Sequence, residues 1–403
     1  MVTGDGAYIK KLNRSLILQE IIKNKMISRA ELSKKTGLNK ATISVQVADL
    51  LDEKLIYETR QEHNSIGRRP IMLSISGDAG YVLGIDLDTP NIQFAVSNLN
   101  GKSVEQTTVG LDTKDYHTII PLLIKYIKEF KEKYSNCSYG LISTNIAIHG
   151  TVNKEEKIIF VPKLKWSNKD IKADLSKELD IEISIENNAN LSAYAEKVYN
   201  HQSDNLLTLI LTSGIGAGIM IDSQLHKGYH GLAGEMGHMI IAPEGKPCAC
   251  GNHGCWERYA SEPTLIEELS DLLQKPNVAY EEIKNRIANQ DPTTYEYLKQ
   301  FIRYLSIGIN NIINLYNPET IVLNSEILKV YPNVIDEIKS NLKSSVSEYR
   351  EIVISELGNK SGLMGACALA ISRFLDVSDL ILPVPEEQTD KNDTRTKKPE
   401  TIC

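Results

Sequence analysis

Apolar positions in the first eighty residues recur first at helical and then at strand spacing. In YIKKLNRSLILQEIIKN (8–24), Ile9, Leu12, Leu16 and Ile21 share one helical face. Ser28-Arg29-Ala30-Glu31 follows as a capping box, in which the serine side chain takes an orphan N–H and the glutamate reaches back. It opens a short helix that stops at Gly37, a residue suited to the left-handed turn past a helix end. Asn39 caps a third helix, NKATISVQVADLLDEK, with Ile43, Val47 and Leu50 inward. Leu55–Arg60 and Pro70–Ile75 then alternate like two short strands around the loop QEHNSIGRR. Three helices and a two-stranded hairpin predict a winged helix-turn-helix over residues 1–77.

From Tyr81 the pattern changes. YVLGIDLDTPNIQFAVSNLNGK reads as strand, turn, strand, turn, and NLLTLILTSGIGAGIMIDSQLHKG (205–228) repeats the design. Two such units opening two halves predict a duplicated, two-lobed α/β fold of the actin and hexokinase type over residues 78–382, with a ligand cleft between the lobes. Helical segments are expected at about 115–134, 168–179, 189–200, 262–274, 294–315 and 331–347. The tail 383–403 is polar and lacks periodicity, the composition of a disordered segment.

A chain of 403 residues is too long for one ordinary domain. No apolar run approaches a membrane span, and the start, MVTGDGAYIKK, lacks the apolar core of a signal peptide, so a cytoplasmic protein is expected. The net charge of -7 is unevenly spread: residues 8–77 hold 13 Lys/Arg against 7 Asp/Glu, a local +6, which leaves the remainder near -13. A small basic module on a larger acidic one is the electrostatic footprint of a DNA-reading head. On the third helix, Lys40, Thr42, Ser44 and Gln46 are candidates for base edges and phosphates in a major groove. Gly67-Arg68-Arg69-Pro70 places two guanidinium groups, Arg68 and Arg69, beside a rigid proline, a form suited to a narrow A·T minor groove. A solvated helix and a charged surface turn would also carry such residues; the local charge and the hairpin favour DNA.

The richest stretch is GYHGLAGEMGHMIIAPEGKPCACGNHGCWER (228–258). It holds His238, Cys248, Cys250 and Cys255 in the pattern H-x9-C-x-C-x4-C. Three thiolates and an imidazole complete a tetrahedral zinc set, leaving no position for water or substrate, so the metal expected here is structural. Three of the six cysteines fall within eight residues in a chain without an export signal, which favours a metal over disulfides. Glu235, His238 and Glu257 in the same stretch are polar groups that a pinned loop could present to a polyol.

This segment resembles the sugar-binding and zinc signature of the ROK family, which groups bacterial sugar kinases with sugar-responsive repressors. The resemblance runs from about residue 8 to residue 376, and within the family it is strongest to xylose-responsive repressors of Gram-positive bacteria, which carry an N-terminal DNA-binding head that stand-alone kinases lack. It implies hydroxyl-binding roles for Asn187, Asn188, Glu235, His238 and Glu257. The kinase features it implies are altered. The family's first phosphate loop, D-x-G-G-T-K-like, is Asp86-Leu87-Asp88-Thr89-Pro90-Asn91 here, with an added carboxylate and a proline that lacks an N–H. The second survives as Thr212-Ser213-Gly214-Ile215-Gly216-Ala217-Gly218, although a tight hairpin also needs such glycines. In the kinases' E-N-D-A-N, the aspartate takes the sugar proton; here it is Asn188, whose amide cannot act as a general base. Asn324-Ser325 replaces the glycine-rich nucleotide segment, and His149-Gly150 stands where the family often has Pro-Gly. The expectation is therefore a DNA-binding repressor with no catalytic residue. It would carry structural zinc, act as a homodimer or homotetramer on a palindromic operator, and be released by xylose or a related aldose. The alternatives are a sugar kinase with a regulatory head, and a zinc-stabilised assembly module without a ligand.

Overall fold

The computed structural model describes residues 6–60 and 70–384. Arg68, Arg69 and the tail beyond Val384 lie outside the described residues. The chain opens with three helices, α1 (Gly6–Asn24), α2 (Arg29–Thr36) and α3 (Lys40–Asp52). Local chemistry fixes their ends. Ser28 Oγ accepts from the Glu31 N–H while the Glu31 carboxylate accepts from the Ser28 N–H, Gly37 takes φ 71°, and Asn39 accepts from the Thr42 N–H. Each such cap is worth about 1 kcal/mol. A three-stranded antiparallel sheet follows the helices in space, with β3 (Ile71–Ile75) between β1 (Ile27–Ser28) and β2 (Ile56–Arg60). The expected hairpin is present, and β1 adds a third strand to it.

The expected apolar face of α1 is corrected in part. Ile21 is buried, but its companions in the core are Ile17 and Leu18, while Ile9, Leu12 and Leu16 are exposed. The C-terminal end of α3 reaches the first half of α1 through polar pairs, Asp49 with Lys10 and Glu53 with Arg14, and Ile9, Leu12 and Leu16 are left on the outward side.

Two five-stranded sheets form the body. The first contains β4 (Tyr81–Leu87), β5 (Asn91–Asn98), β6 (Ser103–Gly110), β7 (Leu141–Ile148) and β11 (Glu182–Asn187) in the order β11-β7-β4-β5-β6. Between β7 and β11 lie a small sheet of β8 (Thr151–Val152), β9 (Ile158–Val161) and β10 (Trp166–Lys169), and the helix α5 (Ile171–Ser176). The second sheet contains β12 (Leu206–Ile210), β13 (Gly216–Ile221), β14 (Gln224–Leu225), β15 (Thr320–Asn324) and β16 (Glu351–Ile354) in the order β14-β13-β12-β15-β16. Both are read outward from the first strand as two antiparallel neighbours on one side and later strands on the other, the duplication the sequence implies.

Each sheet has its own core. Phe94, Leu83 and Ile146 meet Ile119, Leu123 and Ile127 of α4 (Tyr116–Lys133) in the first. In the second, Leu209, Ile219 and Leu323 meet α10 (Pro292–Tyr316), whose Leu298, Phe301, Ile302, Leu305, Ile309 and Ile312 hold helical spacing. The remaining helices are α6 (Asn188–Ala195), continued by a π-helical turn at Glu196–Asn200, α7 (Glu257–Ala260), α8 (Glu262–Leu272), α9 (Tyr280–Ala288), α11 (Glu326–Val330), α12 (Val334–Asn341) and α13 (Ser361–Leu375). Neither α9 nor α13 was expected from the pattern, and expected segments 168–179 and 331–347 are each shorter helices beside other structure.

The chain divides into two compact units. One runs up to Glu186 and adds Val198–Asn200 and the chain from Leu363; the other comprises Asn187–Lys197 and His201–Gly362. The helical head therefore belongs to the same unit as the first sheet. There Ser15 Oγ donates to the Asp376 carbonyl, Lys11 lies 3.4 Å from the Asp376 carboxylate, and the Tyr139 hydroxyl donates to the Glu53 carbonyl at 2.8 Å. In that unit α13 lies close on β4: a Cβ at Gly84 would stand 2.7 Å from Cys367 Sγ. No described helix is long and apolar enough to cross a membrane.

Candidate functional site

In the second unit, the hairpin β12–β13 organises the candidate sugar residues. Asn187 ends β11 and caps α6, its Oδ1 accepting from the Ala189 N–H at 2.8 Å and the Asn190 N–H at 3.2 Å. Asn188 is the first residue of α6 and half-buried. The helix seats directly on β13: a Cβ at Gly218 would come 2.1 Å from the Ala189 carbonyl, and one at Gly216 3.4 Å from the Ala189 Cβ. The glycines of the second loop thus have a packing reason.

The loop with Glu235 and His238 folds onto the same hairpin. The Ala217 N–H donates to the Gly234 carbonyl at 3.2 Å, Gly234 adopts φ 99°, and a Cβ at Gly237 would meet the Ile215 carbonyl at 2.5 Å. Glu235 is exposed, and its Oε2 lies 3.9 Å from His238 Nε2. On the other side of the ring, His238 Nδ1 lies 3.5 Å from Glu257 Oε1 and 3.7 Å from Cys248 Sγ. Glu257 also stands against the second loop, its Oε2 3.0 Å from the place of a Cβ on Gly214.

His238, Cys248, Cys250 and Cys255 converge, with one ligand atom of each within 4.8 Å of the others. Cys250 and Cys255 Sγ are 3.6 Å apart. Metal–sulfur bonds of about 2.3 Å in a tetrahedron give ligand–ligand edges of roughly 3.8 Å, so these separations suit one small soft cation. Isolated bridges Ile240↔Cys255 and Pro247↔His253 fold the loop back on itself. Next to it Trp256 is fully buried, donating Nε1–H to the Tyr304 carbonyl at 2.9 Å over Gly308, where a Cβ would strike the indole at 2.0 Å. Burial pushes the Cys248 thiol up to about 12, so a cation must displace its proton to be bound.

In the segments 86–91 and Asn324-Ser325 most polar side chains are held by neighbours within the protein, the buried Asn324 Oδ1 being an exception. Asp86 Oδ1 lies 2.6 Å from His149 Nε2, and Asp88 Oδ2 lies 2.6 Å from Lys163 Nζ and 3.8 Å from His149 Nδ1. Burial opposes protonation of His149, but the charge and hydrogen bond of Asp86, with Asp88 behind them, outweigh it and hold the imidazole above its usual range. Asn324 Nδ2 donates to the Gly358 carbonyl and Ser361 Oγ, while Ser325 Oγ caps α11 and donates to the buried Glu262. Sequence reasoning missed the Asp86–His149–Asp88–Lys163 cluster, whose members are up to 77 positions apart.

On the head, Lys40 and Ser44 are exposed and Thr42 is half-buried on α3. Gln46 corrects its assignment: at 4% exposure it lies on the buried face with Ile43, Val47 and Leu50 and is not presented to a groove. Ser44 Oγ donates to the Lys40 carbonyl at 2.8 Å.

The family model described as ROK family matches residues 82–373. The chain belongs to the ROK family. The xylose repressor of Bacillus subtilis is 37% identical over 385 residues, covering 94% of this chain and 99% of its own. This ROK protein is also similar to the crystal structure of a ROK family transcriptional regulator, a homologue of the E. coli MLC protein. That likeness has a TM-score of 0.80 at 28% identity and covers 91% of this chain and 97% of that one. A ROK glucokinase from Streptomyces griseus, solved with glucose and AMPPNP, shares the fold at a TM-score of 0.62 and 23% identity, covering 99% of itself but 72% of this chain.

Proposed function

We propose that this ROK protein is a sugar-responsive, DNA-binding transcriptional repressor of xylose-utilisation genes, released from its operator by xylose. The observation that carries the reading is the end-to-end likeness to a named xylose repressor, 37% identical over nearly the full length of both chains. The head is part of it, since the similar regulator structure covers 91% of this chain and the glucokinase structure 72%.

In this reading residues 1–77 are the winged helix-turn-helix, with Lys40, Thr42 and Ser44 toward the major groove and Arg68 and Arg69 toward a minor groove. Asn187, Asn188, Glu235, His238 and Glu257 bind the sugar. The Asn187 Oδ1 caps α6, which fixes the side chain at the start of that helix. A structural zinc held by His238 Nδ1, Cys248, Cys250 and Cys255 would fix the ring, turning Nε2 toward Glu235 and the sugar. The protein acts in the cytoplasm as a homodimer or homotetramer on a palindromic operator.

The protein is not a kinase in this reading. Asn188 offers no general base, and the carboxylates of the first loop are paired with His149 and Lys163 where phosphate would need N–H donors. The test is an operator-shift titration against a panel of aldoses with an ATP-dependent phosphorylation assay beside it. Release by xylose without turnover is expected; sugar turnover without operator binding would replace the reading with the kinase.

A further inference from the structure

The face of α3 that burial leaves outward is apolar at its centre. Ile43, Gln46, Val47 and Leu50 are buried, spaced i, i+3, i+4 and i+7, and so fix the rotation of the helix. The exposed residues opposite are Lys40, Ala41, Ser44, Val45 and Ala48, the first, second, fifth, sixth and ninth of the helix. All but Ala48 lie in the first half of the helix, the part of a recognition helix that approaches base edges. Val45 sits in their middle at 57% exposure. A β-branched residue on a helix loses rotamer freedom, and at this position no packing compensates for it.

The groups around Val45 leave its methyls uncovered. Ala41 and Ala48 end at Cβ, so the helix can lie close against whatever it meets. The Ser44 hydroxyl is turned back onto the Lys40 carbonyl, and Asp49 is engaged by Lys10 at 2.8 Å. The first turn carries no acidic residue, and residues 8–77 are net positive. A basic head with a small apolar patch on its recognition helix is complementary to a polyanion that offers an isolated apolar feature. In duplex DNA the major groove has one such feature, the C5-methyl of thymine.

We infer that Val45, flanked by Ala41 and Ala48, is a specificity-determining residue that reads a thymine methyl in the major groove of each operator half-site. This rests on the DNA-binding reading above and adds Val45 to the candidates on α3 from which burial removes Gln46. Lys40 then positions the helix on the backbone, and Val45 supplies sequence discrimination by apolar contact.

The test uses the full-length protein and a duplex enriched by it from a random-sequence library. Each thymine of that duplex is replaced singly by deoxyuridine, which removes the methyl and keeps every hydrogen bond, and affinity is read by fluorescence anisotropy at fixed salt. At one position per half-site the replacement is expected to weaken wild-type binding about three- to fivefold, the value of one buried methyl. Val45→Ala is expected to lose a similar factor on thymine DNA and to be indifferent to deoxyuridine at that same position. Val45→Ile, which keeps the methyls, should retain the sensitivity. No sensitive position in the wild type, or equal sensitivity in Val45→Ala, overturns the inference while leaving DNA binding intact. Failure to enrich any duplex overturns the DNA-binding reading itself. Val45 is exposed, so its replacement by alanine removes no core packing.

Discussion

Gly218 lies beneath Ala189 so closely that a Cβ would come 2.1 Å from the Ala189 carbonyl oxygen and 2.6 Å from the Ala193 Cβ. Backbone meets backbone there, and neither partner has a flexible end that can yield. The contact sets the height of α6 on β13 and hence the position of Asn187 and Asn188 at its start. Gly218→Ala should therefore cost roughly 1–3 kcal/mol through overpacking and weaken xylose binding at least tenfold. Calorimetric titration and thermal melting check both. Unchanged sugar affinity would mean that α6 does not position the effector.

The metal loop leads to a second prediction. Freshly purified, unchelated protein should contain one zinc per chain by elemental analysis, and Cys255→Ser should lose it. Cys255 is fully buried at the Ile240 bridge, so losing the metal frees the segment that carries His238. The variant should melt lower and bind xylose weakly; a zinc-free wild-type protein with full sugar affinity would contradict this.

How much of this was legible in the sequence differs by element. Ser28, Glu31, Gly37 and Asn39 act through neighbours within three residues, so the ends of α2 and α3 could be read directly. The convergence of His238, Cys248, Cys250 and Cys255 could be read because their spacing is local and their chemistry narrow. The exposure of Leu12 and Leu16 could not, since it depends on which side of α1 is turned to α3, where Lys10 and Arg14 pair with Asp49 and Glu53. Helix α13, SGLMGACALAISRFL, is apolar almost all round and gives no stripe to recognise. The Asp86–His149 pair depends on the parallel register that sets Asp86 beside Ala147 and Leu87 beside Ile148, which no local pattern encodes.

That pair gives a pH prediction. The folded-state pKa of His149 is raised above its usual 6.5 because Asp86 and Asp88 outweigh burial. A raised value means that the pair stabilises fully below the unfolded pKa and loses its contribution as pH rises through the folded one. The difference in melting temperature between wild type and His149→Gln should be largest at mildly acidic pH and shrink above neutrality. Lys163, also beside Asp88, opposes the raised value as the smallest of the causes and does not reverse its direction. A difference that grows with pH would show that His149 is held neutral.

The nucleotide loops lead to a prediction about restoring catalysis. Asn188→Asp returns the carboxylate found in the family's kinases, yet it leaves Asp86 and Asp88 paired in the first loop and Asn324 bonded to Gly358 and Ser361. The variant should therefore show no ATP-dependent phosphorylation of xylose or glucose above background in a coupled assay. Steady turnover would mean that Asn188 alone separates this chain from an enzyme.

The final prediction concerns the switch itself. A sugar shifts an equilibrium only by its differential affinity for the two states, and operator DNA must lower xylose affinity by the factor by which xylose lowers operator affinity. Glu235 is exposed, lies on the face of His238 away from Cys248, and stands 3.9 Å from the ring. Its carboxylate faces His238 Nε2, the ring edge away from Cys248 Sγ, so its removal is expected to leave the Nδ1 side of the ring in place. Glu235→Ala is expected to retain zinc and bind operator as tightly as the wild type. It should lose the xylose response, which for coupled sites typically spans about 5- to 150-fold. In cells the result is permanent repression. Operator affinity measured with and without xylose, alongside zinc content, checks each part. A variant that lost zinc and operator binding while still responding to xylose in its residual activity would make Glu235 a brace of the loop and not a contact for the sugar.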